Sequence, residues 1–331
     1  MERKKTKMIK KFKKSILMVV ASVIVAASLC ACGGKSEDDG KAKVTVAYQY
    51  GLAYAPLTIM QEQGLIEKHY GSEIEVEWVN LNSGAAINEG FASGDIDVAC
   101  MGVAPFITGS TAGIPYKMYG TISAQPHRLM TNKEEIQTIS DITAENKIAL
   151  VNIGSIQHIM LGMLAQDELG DAKALDSNLV AMAHPDGMAA LLAGSVDCQL
   201  TTAPYIYEEE KAEGIHEVKG LEKVWPDGNA FIVGLVSEDC YENQPEVYEA
   251  IVAATQEAID YINNNQQDAA TVLAQKQDVT PEEMMEWLQK PGCVFDMKLD
   301  GVMNTANFME ESGFIEEAPE SLEAITTPSA R

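Results

Sequence analysis

The sequence predicts an α/β protein built as two doubly wound lobes, with a cleft between them and a two-segment hinge. Two observations carry this: a strand-helix alternation that starts over once, and a short internal echo. The first series reads Val44–Tyr48 as a strand, about 56–68 as a helix, Ile74–Val79 as a strand, about 85–92 as a helix and Val98–Met101 as a strand. The second reads Lys147–Val151, a helix at about 157–169, Leu179–Met182, a helix at about 187–193 and Cys198–Leu200. Strand-helix repetition of this kind builds a mostly parallel sheet with helices on both faces. The echo is Gly94-x-x-Asp97 followed by Pro105, repeated as Gly194-x-x-Asp197 followed by Pro204. In both places glycine is a left-handed helix stop and aspartate opens a strand.

After about Trp225 come a strand-like run, Ala230–Val236, and helices at about 245–263, 267–274 and 281–289. No long linker interrupts the chain, so this segment is expected to pack back on the first lobe. The division expected is lobe I from 43–126 plus 226–320 and lobe II from 127–225. Residues 321–331 read as a frayed tail.

The N-terminal stretch has another character. Residues 1–15 hold eight Lys or Arg against one acid, Glu2, and an uncharged apolar run follows to Ala31. That is a secretory signal layout, and the run falls short of the ~20 residues a spanning helix needs. Its end, Leu29-Cys30-Ala31-Cys32-Gly33, resembles a bacterial lipobox, which makes residues 1–31 a lipoprotein signal peptide and Cys32 the lipidated residue. Two acyl chains on Cys32 suffice for stable membrane anchoring. Residues 32–42, mostly Gly, Ser, Ala and charge, read as a flexible tether.

Removing residues 1–31 leaves 16 basic and 48 acidic residues, a charge of −32. Such a charge opposes binding to nucleic acid and suits a monomer held near a surface. Cys100, Cys198, Cys240 and Cys293 have neither zinc nor CxxC spacing, and read as small core residues. A Cys240–Cys293 disulfide is the weaker alternative. The five histidines lack metal-ligand spacing, and no nucleophile elbow, zinc-protease or phosphate-loop motif occurs. Neither an enzyme nor a metal or cofactor site is expected.

Several short motifs, taken in order, resemble the aliphatic-sulfonate-binding proteins of the nitrate/sulfonate/taurine group. They are Val46–Gly51, Gly64–Tyr70, Val76–Val79, Ser83-Gly84, Gly94–Asp97 and Met101–Pro105, then Asn152–Ser155 with His158, Pro185-Asp186, Gly194–Asp197, Pro204 and Asn243–Tyr248. The resemblance implies a type 2 periplasmic binding protein that serves an ABC importer, with a small-molecule ligand and with permease and ATPase subunits as partners. Two departures touch the ligand. Val103 stands where sulfonate binders usually carry an acid, and Thr202-Ala203-Pro204 where they carry Trp-Asp-Pro. A thiamine-pyrimidine binder or enzyme on the same fold, or a sensing surface lipoprotein without a transport role, are the alternatives.

In an open α/β sheet the ligand lies at the carboxyl ends of the strands, where loops turn into helix starts. That rule selects Gln49, Tyr50 and Tyr54, then Asn82 and Ser83, then Gly102 and Val103. In the second lobe it selects Asn152, Gly154, Ser155 and Gln157, then His184 and Asp186, then Thr201 and Thr202. Ser83 and Ser155 serve equally as helix caps or as donors to an anionic oxygen. Among Tyr48, Tyr50 and Tyr54, at least one is free to stack on a ring, while another packs in the core. His127 and Arg128 fall where the chain crosses between lobes, and Arg128 is either an anion clamp or a solvated hinge residue.

Overall fold

The structure is a computed structural model that describes residues 41–330. The signal peptide, Cys32 and nearly all of the 32–42 tether lie outside the described residues. The chain begins with β1 (Ala42–Tyr48), α1 (Ala55–Gln63), α2 (Leu65–Tyr70), β2 (Ile74–Asn80), α3 (Gly84–Ser93), β3 (Val98–Gly102), α4 (Val103–Thr111) and β4 (Tyr116–Ser123). It crosses into β5 (His127–Thr131), β6 (Ile148–Leu150), α5 (Ile156–Leu169), β7 (Leu179–Ala181), α6 (His184–Leu192), β8 (Cys198–Thr202), α7 (Tyr205–Glu210), β9 (His216–Val218) and α8 (Leu221–Val224). It then returns through β10 (Ile232–Ser237) to α9 (Glu238–Asn243), α10 (Pro245–Asn264), α11 (Gln266–Gln277), α12 (Pro281–Leu288), α13 (Val302–Glu311) and α14 (Leu322–Ile325).

Two five-stranded mixed sheets result, ordered β2-β1-β3-β10-β4 and β7-β6-β8-β5-β9. They have the same plan. Three parallel strands are followed by an antiparallel one, β10 in the first sheet and β5 in the second. Each crossing of the chain delivers that antiparallel strand to the sheet it enters. The inner strands β3, β8 and most of β10 are buried on both faces, as the strand between two helical layers must be.

The internal echo has a structural meaning. Asp97 Oδ2 accepts the N–H of Thr45 at 2.8 Å, and Asp197 Oδ2 accepts the N–H of Lys147 at 2.9 Å. In each lobe the aspartate ties the entry of the third strand to the first. Gly94 and Gly194 turn the preceding helices off at φ 78° and 71°, a region where side chains are strained.

Several elements differ from expectation. The helix read over 56–68 is two helices, because Gly64 adopts φ 59° and stops the first. The strand β4 does not stand out in the sequence because buried polar residues, Thr121 and Ser123, interrupt its apolar Tyr116, Met118, Tyr119 and Ile122. Thr121 donates to the carbonyls of Asp296 and Lys298, and Ser123 donates to that of Ala53. The segment read as a frayed tail is docked on this strand. Thr327 N–H donates to the Met118 carbonyl at 2.9 Å, the Tyr248 hydroxyl donates to Thr327, and Ile325 is buried.

The C-terminal helices layer mainly on the first lobe, α12 on α11 and α11 on α1, but they also reach the second. Trp287 of α12 lies 6.2 Å from the ring of Tyr207 on α7, and Phe314 meets His158 of α5 edge-on at 5.1 Å. All four cysteines of the described residues are free, with Cys100, Cys198 and Cys240 buried.

Candidate functional site

The carboxyl ends of both sets of parallel strands face each other across a cleft. The two sides touch. Leu52 N–H donates to the Ala203 carbonyl at 3.3 Å, and a Cβ on Gly102 would lie 3.3 Å from Ile156. The inner cavity between them measures about 40 Å³, room for roughly three waters. A wider recess of about 560 Å³ opens outside it.

From the first lobe, Gln49, Tyr50, Tyr54, Asn82 and Gly102 line the inner cavity, and from the second Asn152, Ser155 and Gln157. Tyr50, 49% exposed, belongs to both cavity and recess, as do Asn82 and Asn152. Ser83 and Asp186 line only the outer recess. Gly154, Val103, Thr201 and Thr202 are on neither lining. Val103 is fully buried behind Gly102, its N–H bonded to the Phe231 carbonyl. Gly154 donates its N–H to His158 Nδ1, Thr201 shares a 2.8 Å hydrogen bond with His184, and Thr202 donates to the Pro126 carbonyl. These four support the wall.

Sequence reasoning missed Phe231, which enters from the returning hinge segment at the foot of a run that reads simply as a strand. It also missed the apolar Val151, Ile156 and Ala183, whose lining role depends on how the lobes meet. His184 belongs to the first turn of α6 and stacks on Tyr205 at 5.4 Å. Tyr48 packs edge-on against Trp78, which leaves Tyr50 and Tyr54 as the cleft tyrosines.

The two serines cap their helices. Ser83 accepts the N–H of Ala86, and Ser155 accepts that of His158 at 3.3 Å. A hydroxyl that accepts through oxygen keeps its hydrogen for another partner, so capping and ligand donation are compatible at Ser155. The Gln49 amide is oriented by its neighbours. Backbone N–H groups only donate, so the end of the amide that lies 3.0 Å from the Ser83 and Gly84 nitrogens is its oxygen, and the end 2.7 Å from the Tyr54 hydroxyl is its nitrogen.

Among the described residues no Lys, Arg, Asp or Glu lines the inner cavity. Arg128 is turned away, with Nε 3.2 Å from Glu217 on β9 and a guanidinium nitrogen donating to the His127 carbonyl. His127 is buried, its Nδ1 bonded to the Gln125 carbonyl at 2.9 Å and its ring edge-on to Phe231. A carbonyl only accepts, so Nδ1 carries the proton and Nε2 is left to accept from Gln157. Burial pushes His127 down to about 3 and His184 down to about 4, so both are neutral at pH 7. Among the described residues no cluster of His, Cys, Asp or Glu could hold a metal ion.

Two equivalent lobes with antiparallel strands exchanged at the hinge, and a cleft between them at the carboxyl ends of their parallel strands, define the type 2 periplasmic binding protein fold. The chain belongs to the NMT1-like family, whose model matches residues 37–276. A Bacillus subtilis (strain 168) protein named for binding aliphatic sulfonates is 28% identical over 207 residues, 61% of this chain and 60% of that one. The taurine-binding periplasmic protein of Escherichia coli (strain K12) is 25% identical over 217 residues, 65% of each chain. The chain thus matches just under two thirds of the length of these relatives. The fold is similar to that of the periplasmic aliphatic sulphonate binding protein SsuA from Escherichia coli. Its TM-score is 0.68 at 20% identity, over 87% of this chain and 99% of that one.

Proposed function

We propose that this protein is the solute-binding component of an ABC importer, captures a small organic solute between its lobes outside the cytoplasmic membrane, and delivers it to a permease. The observation that carries this reading is the cleft itself: hydrogen-bonding groups from both lobes converge on one small cavity at strand ends and helix starts. A ligand that touches both walls favours the closed arrangement by its differential contacts. Tyr50, Tyr54, Asn82, Asn152, Ser155 and Gln157 are the inner contacts in this reading, and Asp186 and Ser83 serve a solute long enough to reach the recess. Two tyrosines and Phe231 on the cavity lining favour a ring-bearing solute over a short alkyl chain. Relatives named for sulfonates and taurine supply the first compounds to test.

Calorimetry against sulfonates, carboxylates, amides and pyrimidines is the direct test. Tyr54→Ala and Ser155→Ala are each expected to weaken whichever compound binds, by about fivefold or more, corresponding to ~1 kcal/mol for a lost hydrogen bond. Unchanged affinity in both variants would show that the cleft lies elsewhere. The anchor belongs to the same proposal. Cys32→Ala is expected to release unlipidated protein from the membrane fraction, and retention there with the lipid mass intact overturns it.

A further inference from the structure

We propose that His158 is a positioning residue of the ligand site: it holds the loop at 152–155 in shape from behind, and Phe314 of the first lobe fixes its ring in place. His158 is on neither the cavity lining nor that of the recess. This inference rests on the cleft reading above and extends the site to a contact outside it. The role is to shape the loop, not to choose the solute.

The loop joins β6 to α5 and brings Asn152 and Ser155 to the inner cavity. Gly154 within it sits at φ 82°, a left-handed turn. Two of the loop's fixings come from His158. Its backbone N–H donates to Ser155 Oγ at 3.3 Å, and its Nδ1 accepts the Gly154 N–H at 3.0 Å. A backbone N–H only donates, so Nδ1 is bare and the proton is on Nε2, which donates to the Asp176 carboxylate at 3.0 Å. This is the tautomer opposite to that of His127. Asp176 thereby selects the nitrogen that faces the loop.

The ring is held from the other lobe. Helix α13 packs against α4 of the first lobe and α5 of the second. Gly313, at φ 67°, turns the chain out of α13, and the Phe314 N–H then donates to the Met309 carbonyl at 2.7 Å. The Phe314 ring meets the His158 imidazole edge-on at 5.1 Å. Gly162, one helical turn beyond His158, leaves room for it, since a Cβ there would lie 3.0 Å from the ring. Lys173 completes the socket, with its ammonium 5.1 Å from the ring centroid and donating to the Gly313 carbonyl at 2.8 Å. Phe314 is thus a first-lobe side chain seated in a second-lobe socket, against the residue that shapes the ligand loop. Parting the lobes withdraws the ring and frees the imidazole, so closure and loop shape are linked.

The test first reads the loop with no ligand present. In protein labelled with 15N at glycine and histidine, NMR is expected to find the His158 proton on Nε2 and the Gly154 amide protected from exchange. His158→Gln keeps a donor for Asp176 but offers no acceptor in the place of Nδ1, so Gly154 exchange rises about tenfold or more. His158→Asn sets its amide oxygen near where Nδ1 stood, and exchange stays within about threefold of wild type although asparagine is the poorer helix former. A role in helix stability alone gives the reverse order. Phe314→Ala empties the socket, and Gly162→Ala crowds the ring with a better helix former; each raises Gly154 exchange about threefold or more. Calorimetry with taurine and butane-1-sulfonate as probes should follow the same order, with affinity about fivefold lower in His158→Gln. A proton on Nδ1 overturns the proposal, as do equal or reversed exchange rates in His158→Asn and His158→Gln. So do wild-type exchange in both Phe314→Ala and Gly162→Ala, or a bound probe unaffected by His158→Gln. The exchange order decides the matter whether or not either probe binds. Tyr54→Ala and Ser155→Ala separate the two levels: a bound probe insensitive to both, beside the expected exchange order, shows that the cleft reading has failed while His158 still shapes the loop. A sensitive probe with exchange unchanged in every variant shows that His158 was misread.

Discussion

Ser155 shows how one hydroxyl can serve both the fold and the site, and how the two can be told apart. Its oxygen caps α5 through the His158 N–H, and replacement of such a cap by alanine costs about 1 kcal/mol of stability. In Ser155→Ala that loss appears in urea unfolding of the ligand-free protein, separately from the loss of affinity already expected. Ser155→Asp restores the acceptor but removes the donated hydrogen, so stability should recover while affinity does not. Ser155 was legible in the sequence, because a small hydroxyl residue before an apolar helical pattern announces a cap. Gln49 was legible as a cleft residue but not as the occupant of the α3 start. Its partners, Ser83 and Gly84, lie one strand and two helices further on, and only the pairing of β1 with β2 brings them together. Arg128 looked available because no arginine competes with it nearby in sequence. The partner that removes it from the cleft, Glu217, comes from β9, a strand of three residues with no pattern of its own.

At the scale of elements, the strands that alternation reveals are those with apolar β-branched runs between clear stops: β1 to β3 and β6 to β8. The ones it hides are β4, β5 and β9, which are short or interrupted by buried polar residues. The tail illustrates the physical reason. Residues 321–330 are polar and lie at the chain's end, yet they cover the outer strand β4 and bury Ile325 and Thr327. Truncation after Glu320 is therefore expected to cost about 3 kcal/mol, from one buried isoleucine and two lost hydrogen bonds. It also bares the edge of β4, and an uncovered edge recruits other chains. Urea unfolding and size-exclusion chromatography check both effects. An unchanged midpoint with a monomeric profile would show that the docked tail contributes nothing.

For the molecule as a whole, buried titratable groups set a pH profile of stability. Glu209 on α7 is fully buried, neither oxygen has a hydrogen-bond partner among the described residues, and burial pushes its carboxyl up to about 8. Its folded pKa lies above its unfolded one, so the folded state holds a proton that the unfolded state gives up. Stability then falls from about pH 4.5 to pH 8, by about 1.4 kcal/mol per unit at most. The two histidines act in the opposite sense. Their folded pKa values lie below the unfolded ~6.5, so the stability they contribute is present above that pH and is lost as pH drops towards 4 and 3. Together the three groups put the optimum near pH 6.5. Glu209→Gln should flatten the alkaline side, and denaturation midpoints measured from pH 5 to 9 test this. A wild-type midpoint that does not decline above pH 6.5 rules it out.

The ring contact between Trp287 and Tyr207 joins a helix of the first lobe's outer layer to one packed on the second sheet. Any hinge motion that parts the lobes must change the surroundings of that indole. The protein therefore carries its own optical gauge, one of three tryptophans in the chain, seated where emission depends on how far the jaws stand apart.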